Sequence, residues 1–298
     1  MSVVGFIGLG TMGRPMALNL QAAGHELVFF ARRAEIAREF IAGGARQAET
    51  PAELAAECEF IITIVPADAE LSEVVLGDNG IVQSAAAGKL LIDMSTVSPS
   101  GTRELGTRLH NAGMAMIDAP VSGGPWGAEA GRLTIMVGGD KGDFERSHPL
   151  LEVMGEKIFH VGPLGAGQTV KLVNQMIGAG IMTLIGEGLV LGKAAGVDLN
   201  LLVDVIAVSS GNSSMLEHRG KKFVLAENFE PGFKTELMRK DIGLALRLGQ
   251  NLDVPMPVAA AALQQYIAAL HEGGGDMDFS AVVKVCESAA GVRLTDGQ

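Results

Sequence analysis

Short, nearly continuous apolar runs punctuate the first half of the chain, at residues 3–7, 27–31, 60–65, 90–94, 116–118, 133–137 and 158–161. Runs without polar alternation suit strands covered on both faces. The segments between them carry helix-start chemistry. Thr50-Pro51-Ala52-Glu53 is a capping box with proline at the first helical position, and Ser98-Pro99 repeats the cap-plus-proline pattern. Gly24, Gly43 and Gly113 are placed to end the helices before them. Strand alternating with helix predicts an α/β fold with a mostly parallel, doubly wound sheet.

Past Val161 the texture changes. Strand-like runs stop, and helical periodicity covers residues 168–195, 199–209, 237–251, 257–271 and 280–287. The pattern predicts a doubly wound α/β domain over residues 1–162 and an all-α domain over residues 163–298. Gly178, Gly180, Gly186, Gly188 and Gly192 fall inside the first long helix. Each glycine costs a helix about 1 kcal/mol against alanine, so close helix crossings are expected there.

Composition narrows the function classes. The 298 residues are 48% hydrophobic and only 4% aromatic, with 40 Gly and 14 Met, so the core is aliphatic. The net charge of −11 argues against nucleic acid as a partner, since a polyanion needs a basic surface. The uncharged runs 172–186 and 254–270 fall short of the ~20 apolar residues of a membrane span. The start MSVVGFIGLG lacks the basic region and cleavage site of a signal peptide. Cys58 and Cys286 form no CxxC motif and read as reduced thiols. A cytoplasmic protein with no membrane partner is expected.

The motif VVGFIGLGTMG places Gly8, Gly10 and Gly13 directly after a strand and at the opening of a helix, with Leu9, Thr11 and Met12 between them. In that context GxGxxG is a dinucleotide fingerprint: the first glycine makes the turn, the second admits the pyrophosphate, and the third lets helix and strand pack. The next strand ends in Ala31-Arg32-Arg33, where an NAD site usually carries a carboxylate. A guanidinium at Arg32 suits a 2′-phosphate, so NADP(H) is expected in preference to NAD(H). Val65 and Pro66 end another strand, at the carboxyl edge where doubly wound folds bind ligands. Ser95 and Thr96 do the same one strand on. Ser122, Gly123 and Gly124 offer a hydroxyl and backbone N–H groups, a cradle for a small carboxylate. Trp126 either walls that pocket or packs in the core.

Lys171 is the one formally charged residue between Ile158 and Gly186. It shares a helix face with Asn174 and Gln175. An ammonium on so apolar a helix either snorkels to water or meets a ligand. Partial burial favours the neutral amine, as proton transfer near neutral pH requires. The six histidines show no HExxH or other ligand spacing, so no metal is expected.

The stretch from Gly8 to Leu20, Asp93-Met94-Ser95-Thr96, Asp118-Ala119-Pro120-Val121-Ser122-Gly123-Gly124, Gly165-Ala166-Gly167 with Lys171-Leu172-Val173-Asn174, and Lys240-Asp241 occur in that order. Together they resemble the β-hydroxyacid dehydrogenase family. The resemblance implies a Rossmann domain followed by an all-α domain, with the active site in the cleft between them. It implies Lys171 as acid/base assisted by Asn174, and a carboxylate substrate held by Ser122, Gly123 and Gly124. It implies Thr96 against substrate and nicotinamide, and Phe233 and Lys240 closing over the cofactor. It also implies a homodimer or homotetramer through the helical domain. Within the family, KLVNQ and PGFK are similar to the tartronate semialdehyde (2-hydroxy-3-oxopropionate) reductases, and SSGNSSM to the glyoxylate/succinic semialdehyde reductases. The imine reductases share the layout but typically place Asp or Tyr at the lysine position. Non-catalytic cofactor-binding relatives lose that lysine.

Overall fold

The computed structural model describes residues 2–31 and 33–295. They form two compact units, which divide between Lys171 and Leu172. In the first, β1 (Val3–Ile7), β2 (Glu26–Phe30), β3 (Arg46–Gln47), β4 (Phe60–Thr63), β5 (Leu90–Asp93) and β6 (Ala115–Asp118) line up as β3-β2-β1-β4-β5-β6, all parallel. Chain order reverses at β1, so the crevice between the carboxyl ends of β1 and β4 is the ligand position of this topology. The short β7 (Val121–Ser122) and β6 pair antiparallel with β8 (Leu133–Gly138), and β9 (Gly155–Gly162) runs parallel to β8.

The continuous apolar runs are explained by burial on both faces. Val4, Phe6, Phe29, Ile62 and Ile92 point into one core cluster. Ile7, Val28, Ile61 and Leu91, one residue out of step, point into another. Among the described residues seven α-helices flank and join the strands: α1 (Gly13–Ala22), α2 (Ala34–Ala42), α3 (Pro51–Glu57), α4 (Asp68–Leu76), α5 (Pro99–Asn111), α6 (Gly124–Glu129) and α7 (Lys141–Met154). The caps act as their chemistry predicts. Thr50 Oγ1 accepts the Glu53 N–H at 3.1 Å while the Glu53 carboxylate accepts the Glu49 N–H at 2.8 Å. Ser98 Oγ accepts the Gly101 N–H at 3.1 Å.

A 29-residue helix, α8 (Ala166–Ala194), begins in the first unit and continues into the second. The second unit adds α9 (Leu199–Ala207), α10 (Ser214–Arg219), α11 (Thr235–Asn251), α12 (Pro257–His271) and α13 (Val283–Ala290) around a core of Met182, Leu189, Ile242, Tyr266 and Val283. Close approach holds at three of the five glycines that the sequence pattern marks in α8. A Cβ at Gly178 would press on Met215, at Gly186 on Cys286 and Val283, and at Gly192 on Leu202. Gly180 and Gly188 face open space instead. Among the described residues α8 is the one helix that by length and composition could cross a membrane. Within its most apolar window 44% is buried inside the chain, which fits the core helix of a helical domain equally well.

Candidate active site

The glycine turn has the geometry of a dinucleotide cradle. Gly8 follows β1 with φ +104°, and a side chain there would overlap the Ile64 carbonyl oxygen, so the turn is open to glycine alone. A Cβ at Gly10 would meet nothing within 4 Å, which leaves space over the turn for a bound group. Gly13 opens α1 and packs against the Gly8 carbonyl and Phe6. Met12, at the N-cap, makes no side-chain cap hydrogen bond, so no side chain competes for the N–H end that suits a pyrophosphate. Leu9 is buried, Thr11 is exposed and Met12 is half-buried. These residues fit a nicotinamide dinucleotide. Arg32 lies outside the described residues; Arg33 is exposed at the N-cap of α2.

The neighbouring strand ends are tied together by polar groups. β4 stops at Thr63, so Val65 and Pro66 stand in the loop beyond it rather than in the strand. The Val65 N–H donates to Ser95 Oγ at 2.9 Å, and that hydroxyl donates to Asp93 Oδ1 at 2.6 Å. Thr63 Oγ1 donates to the same oxygen at 2.9 Å. Thr96 follows, half-buried.

Lys171 lies one turn into α8 and is only 6% exposed. Its Nζ donates to the Val121 carbonyl at 2.7 Å. Val121 immediately precedes Ser122, so the structure brings the ammonium to the edge of the Ser122-Gly123-Gly124 segment. Ser122 sits in β7, half-buried. Gly123 and Gly124 take φ +137° and +64° and open α6 without a side-chain cap. Trp126 is 57% exposed, so it is not a core residue.

In the second unit Asn174 donates to Gln175 Oε1 at 3.3 Å. Gln175 Nε2 donates to Asp241 Oδ2 at 2.8 Å, and Lys240 Nζ pairs with Asp241 Oδ1 at 3.3 Å. Asn174 and Lys240 thus belong to one polar chain. Phe233 stands apart from it. Its N–H donates to Asp278 Oδ2 at 3.2 Å, and its ring meets Phe279 edge-on.

Several of these groups were given no role by the sequence reading: Asp93, Asp118, Gln168, Gln175 and Asp241. Asp93 and Asp118 did carry a signal, since each is a lone carboxylate closing an apolar strand. Both are fully buried, and burial pushes each up to about 6. Hydrogen bonds from Ser95 and Thr63 oppose that rise at Asp93; the N–H groups of Gly165 and Gln168 oppose it at Asp118.

With this geometry in view, the likeness to known proteins is specific. Residues 3–162 match the family described as the NAD binding domain of 6-phosphogluconate dehydrogenase. Residues 165–286 match the family described as the NAD-binding of NADP-dependent 3-hydroxyisobutyrate dehydrogenase. The chain is 40% identical to a 2-(hydroxymethyl)glutarate dehydrogenase of Eubacterium barkeri, over 99% of this chain and 98% of that one. It is 37% identical to a 2-hydroxy-3-oxopropionate reductase of Escherichia coli (strain K12), over 98% and 99%. A Mycobacterium tuberculosis 3-hydroxyisobutyrate dehydrogenase, solved with L-serine, superposes with a TM-score of 0.88 at 35% identity, covering 95% of this chain and 98% of that chain.

The chain belongs to the β-hydroxyacid dehydrogenase family. It is a nicotinamide-dependent oxidoreductase that acts on the CH–OH group of small hydroxy acids.

The two raised carboxylates set a pH dependence. Their folded pKa values lie above the ~3.9 of an unfolded Asp. Their contribution to stability is therefore full below that value and is lost as pH rises through about 6. Calorimetric melting of wild type and Asp93→Asn from pH 4 to 7 should show wild type losing ground to the variant as pH rises. A difference that is flat, or that grows in favour of wild type, contradicts the assignment.

Proposed function

We propose that the protein reduces a small semialdehyde that carries a carboxylate, using NADPH, with 2-hydroxy-3-oxopropionate as substrate. The observation that carries this reading is the buried Lys171 ammonium beside the Ser122 segment. When bound, the reduced dinucleotide supplies the hydride that reduces the aldehyde carbon. Ser122, Gly123 and Gly124 hold the substrate carboxylate, and Thr96 lines the same pocket. As the aldehyde oxygen gains negative charge, Lys171 stabilises it and donates a proton, giving the primary alcohol. In the reverse direction neutral Lys171 takes that proton back. The family resemblance further assigns Asn174 to assist the amine and Phe233 and Lys240 to the cofactor.

The 40% identity to a 2-(hydroxymethyl)glutarate dehydrogenase supports a second reading, a larger dicarboxylate semialdehyde. One experiment separates the two. NADPH oxidation is followed with 2-hydroxy-3-oxopropionate, glyoxylate, succinic semialdehyde, methylmalonate semialdehyde and 2-formylglutarate, in wild type and Lys171→Ala. The best wild-type substrate is expected to be 2-hydroxy-3-oxopropionate. Lys171→Ala is expected to lose about 10²–10⁴-fold in kcat while still binding the dinucleotide. Near-normal turnover in that variant refutes the mechanism.

The preference for NADPH is supported by Arg32 and Arg33, which replace the usual carboxylate. Arg32→Asp should shift the NADPH/NADH ratio of kcat/KM toward NADH by at least about tenfold, the scale of one lost charge-assisted bond. An unchanged ratio removes Arg32 from the cofactor site.

The protein is further inferred to be a cytoplasmic homodimer or homotetramer. Cys58 and Cys286 are buried and unbridged, and burial raises both thiols to about 11, so neither is a reactive thiolate. Val173, Ile177, Leu184 and Leu191 are 44%, 52%, 61% and 72% exposed, and with the open Gly180 and Gly188 they follow one face of α8. Such a stripe suits a second copy of the same helix. Leu184→Asp combined with Leu191→Asp should leave a monomer by light scattering after gel filtration; an unchanged oligomer places the interface elsewhere.

A further inference from the structure

Asp93 and Asp118 face each other across the parallel pair of β5 and β6, and the chemistry proposed above uses neither. Between them stands Gln168, fully buried in the first turn of α8. Every polar atom of its side chain is committed. Oε1 accepts the Val97 N–H at 3.2 Å. Nε2 donates to the Ser95 carbonyl at 2.9 Å and reaches Asp93 Oδ2 at 3.4 Å. The amide thus pairs with the backbone on both sides of Thr96, as an adjacent strand would.

The backbone of this turn is held as well. Asp118 Oδ2 accepts the Gln168 N–H at 2.7 Å, and Oδ1 accepts the Gly165 N–H at 2.6 Å. The carboxylate satisfies two donors that the helix start would otherwise leave unpaired, and its charge favours the positive end of the helix dipole. Gly167, between those two donors, permits the contact. A Cβ there would overlap the Met136 carbonyl oxygen and lie 2.8 Å from Asp118 Oδ2. Lys171 follows Gln168 by three residues, on the same side of the helix.

Few side chains do what Gln168 does. A primary amide offers a donor and an acceptor side by side at that reach, matching one N–H and one carbonyl of the strand. Leucine fills a similar volume but strands the Val97 N–H and the Ser95 carbonyl. Glutamate loses the donor and sets a second charge beside Asp93.

The geometry points to Gln168 as a positioning residue: locked between Asp93, Asp118 and the backbone flanking Thr96, it fixes how far Lys171 stands from the sheet edge. This rests on the proposed role of Lys171. Gln168 touches no reacting atom and acts through the lysine.

A double-mutant cycle on kcat tests it. Gln168→Leu in otherwise wild-type protein should lower kcat by about 10- to 100-fold, the scale of an ångström-level misplacement. Its dinucleotide Kd, read by fluorescence, should stay within about twofold, because the glycine turn is untouched. In the Lys171→Ala background the same substitution should change the residual kcat by less than about twofold, since the group it positions is gone. Equal losses in both backgrounds would mean a general structural role and overturn the inference. Full activity of Gln168→Leu would overturn it too, while leaving the function proposed for Lys171 intact. Near-normal turnover of Lys171→Ala alone would refute that function and take this inference with it. If Gln168→Leu does not fold, Gly167→Ala displaces the same turn from the backbone side, and the same cycle is read with it.

Discussion

Lys171 is only 6% exposed, so its ammonium must be paired, and the Val121 carbonyl at 2.7 Å is a partner. Left unpaired at that depth, the charge would cost several kcal/mol and the side chain would turn outward or lose its proton. The carboxyl edge of the sheet is arranged around that requirement. β6 delivers Asp118 to the start of α8. The chain then leaves β6 through Ala119-Pro120 and enters β7 at Val121 and Ser122. One short segment thus caps the helix with its first residue, accepts from the lysine with another, and presents the next as the expected substrate cradle.

The polar groups beneath that edge are economical. Asp93 accepts from Thr63, Ser95 and Gln168, and Ser95 in turn accepts from Val65. Two strand ends and the start of α8 are therefore registered against one another by hydroxyls, an amide and a carboxylate, where apolar packing alone would tolerate small slides. Burial raises both aspartates toward neutrality, while the surrounding donors favour the charged form. Such fully satisfied networks hold one arrangement of the backbone, and a partly satisfied one would be worse than none.

Much of this architecture was legible in the residues. The strands of the doubly wound sheet announced themselves because burial on both faces demands unbroken apolar runs. Gly8, Gly10 and Gly13 were legible because each solves a different steric problem at one turn. β3 and β7 were not, because two residues carry no period. β4 was read two residues too long because Ile64 and Val65 remain apolar beyond Thr63, where the strand ends. Gln168 was invisible as a structural element, since a polar residue on a helix gives no sign of its partners, and those partners lie 71 and 73 positions away. Likewise Gln175 and Asp241 meet only through tertiary folding. Glycines 178 to 192 of α8 showed that close packing was needed somewhere but not on which side, and Gly180 and Gly188 look outward.

Trp126, left between two places by the sequence, stands largely exposed two residues past Gly124. It is the chain's only indole, and the only phenol, Tyr266, is wholly buried in the helical unit. The protein therefore carries its own pair of optical labels. Light absorbed at the red edge of the aromatic band excites a single ring at the rim of the Ser122 segment, and its emission responds to whatever solute displaces water from that rim.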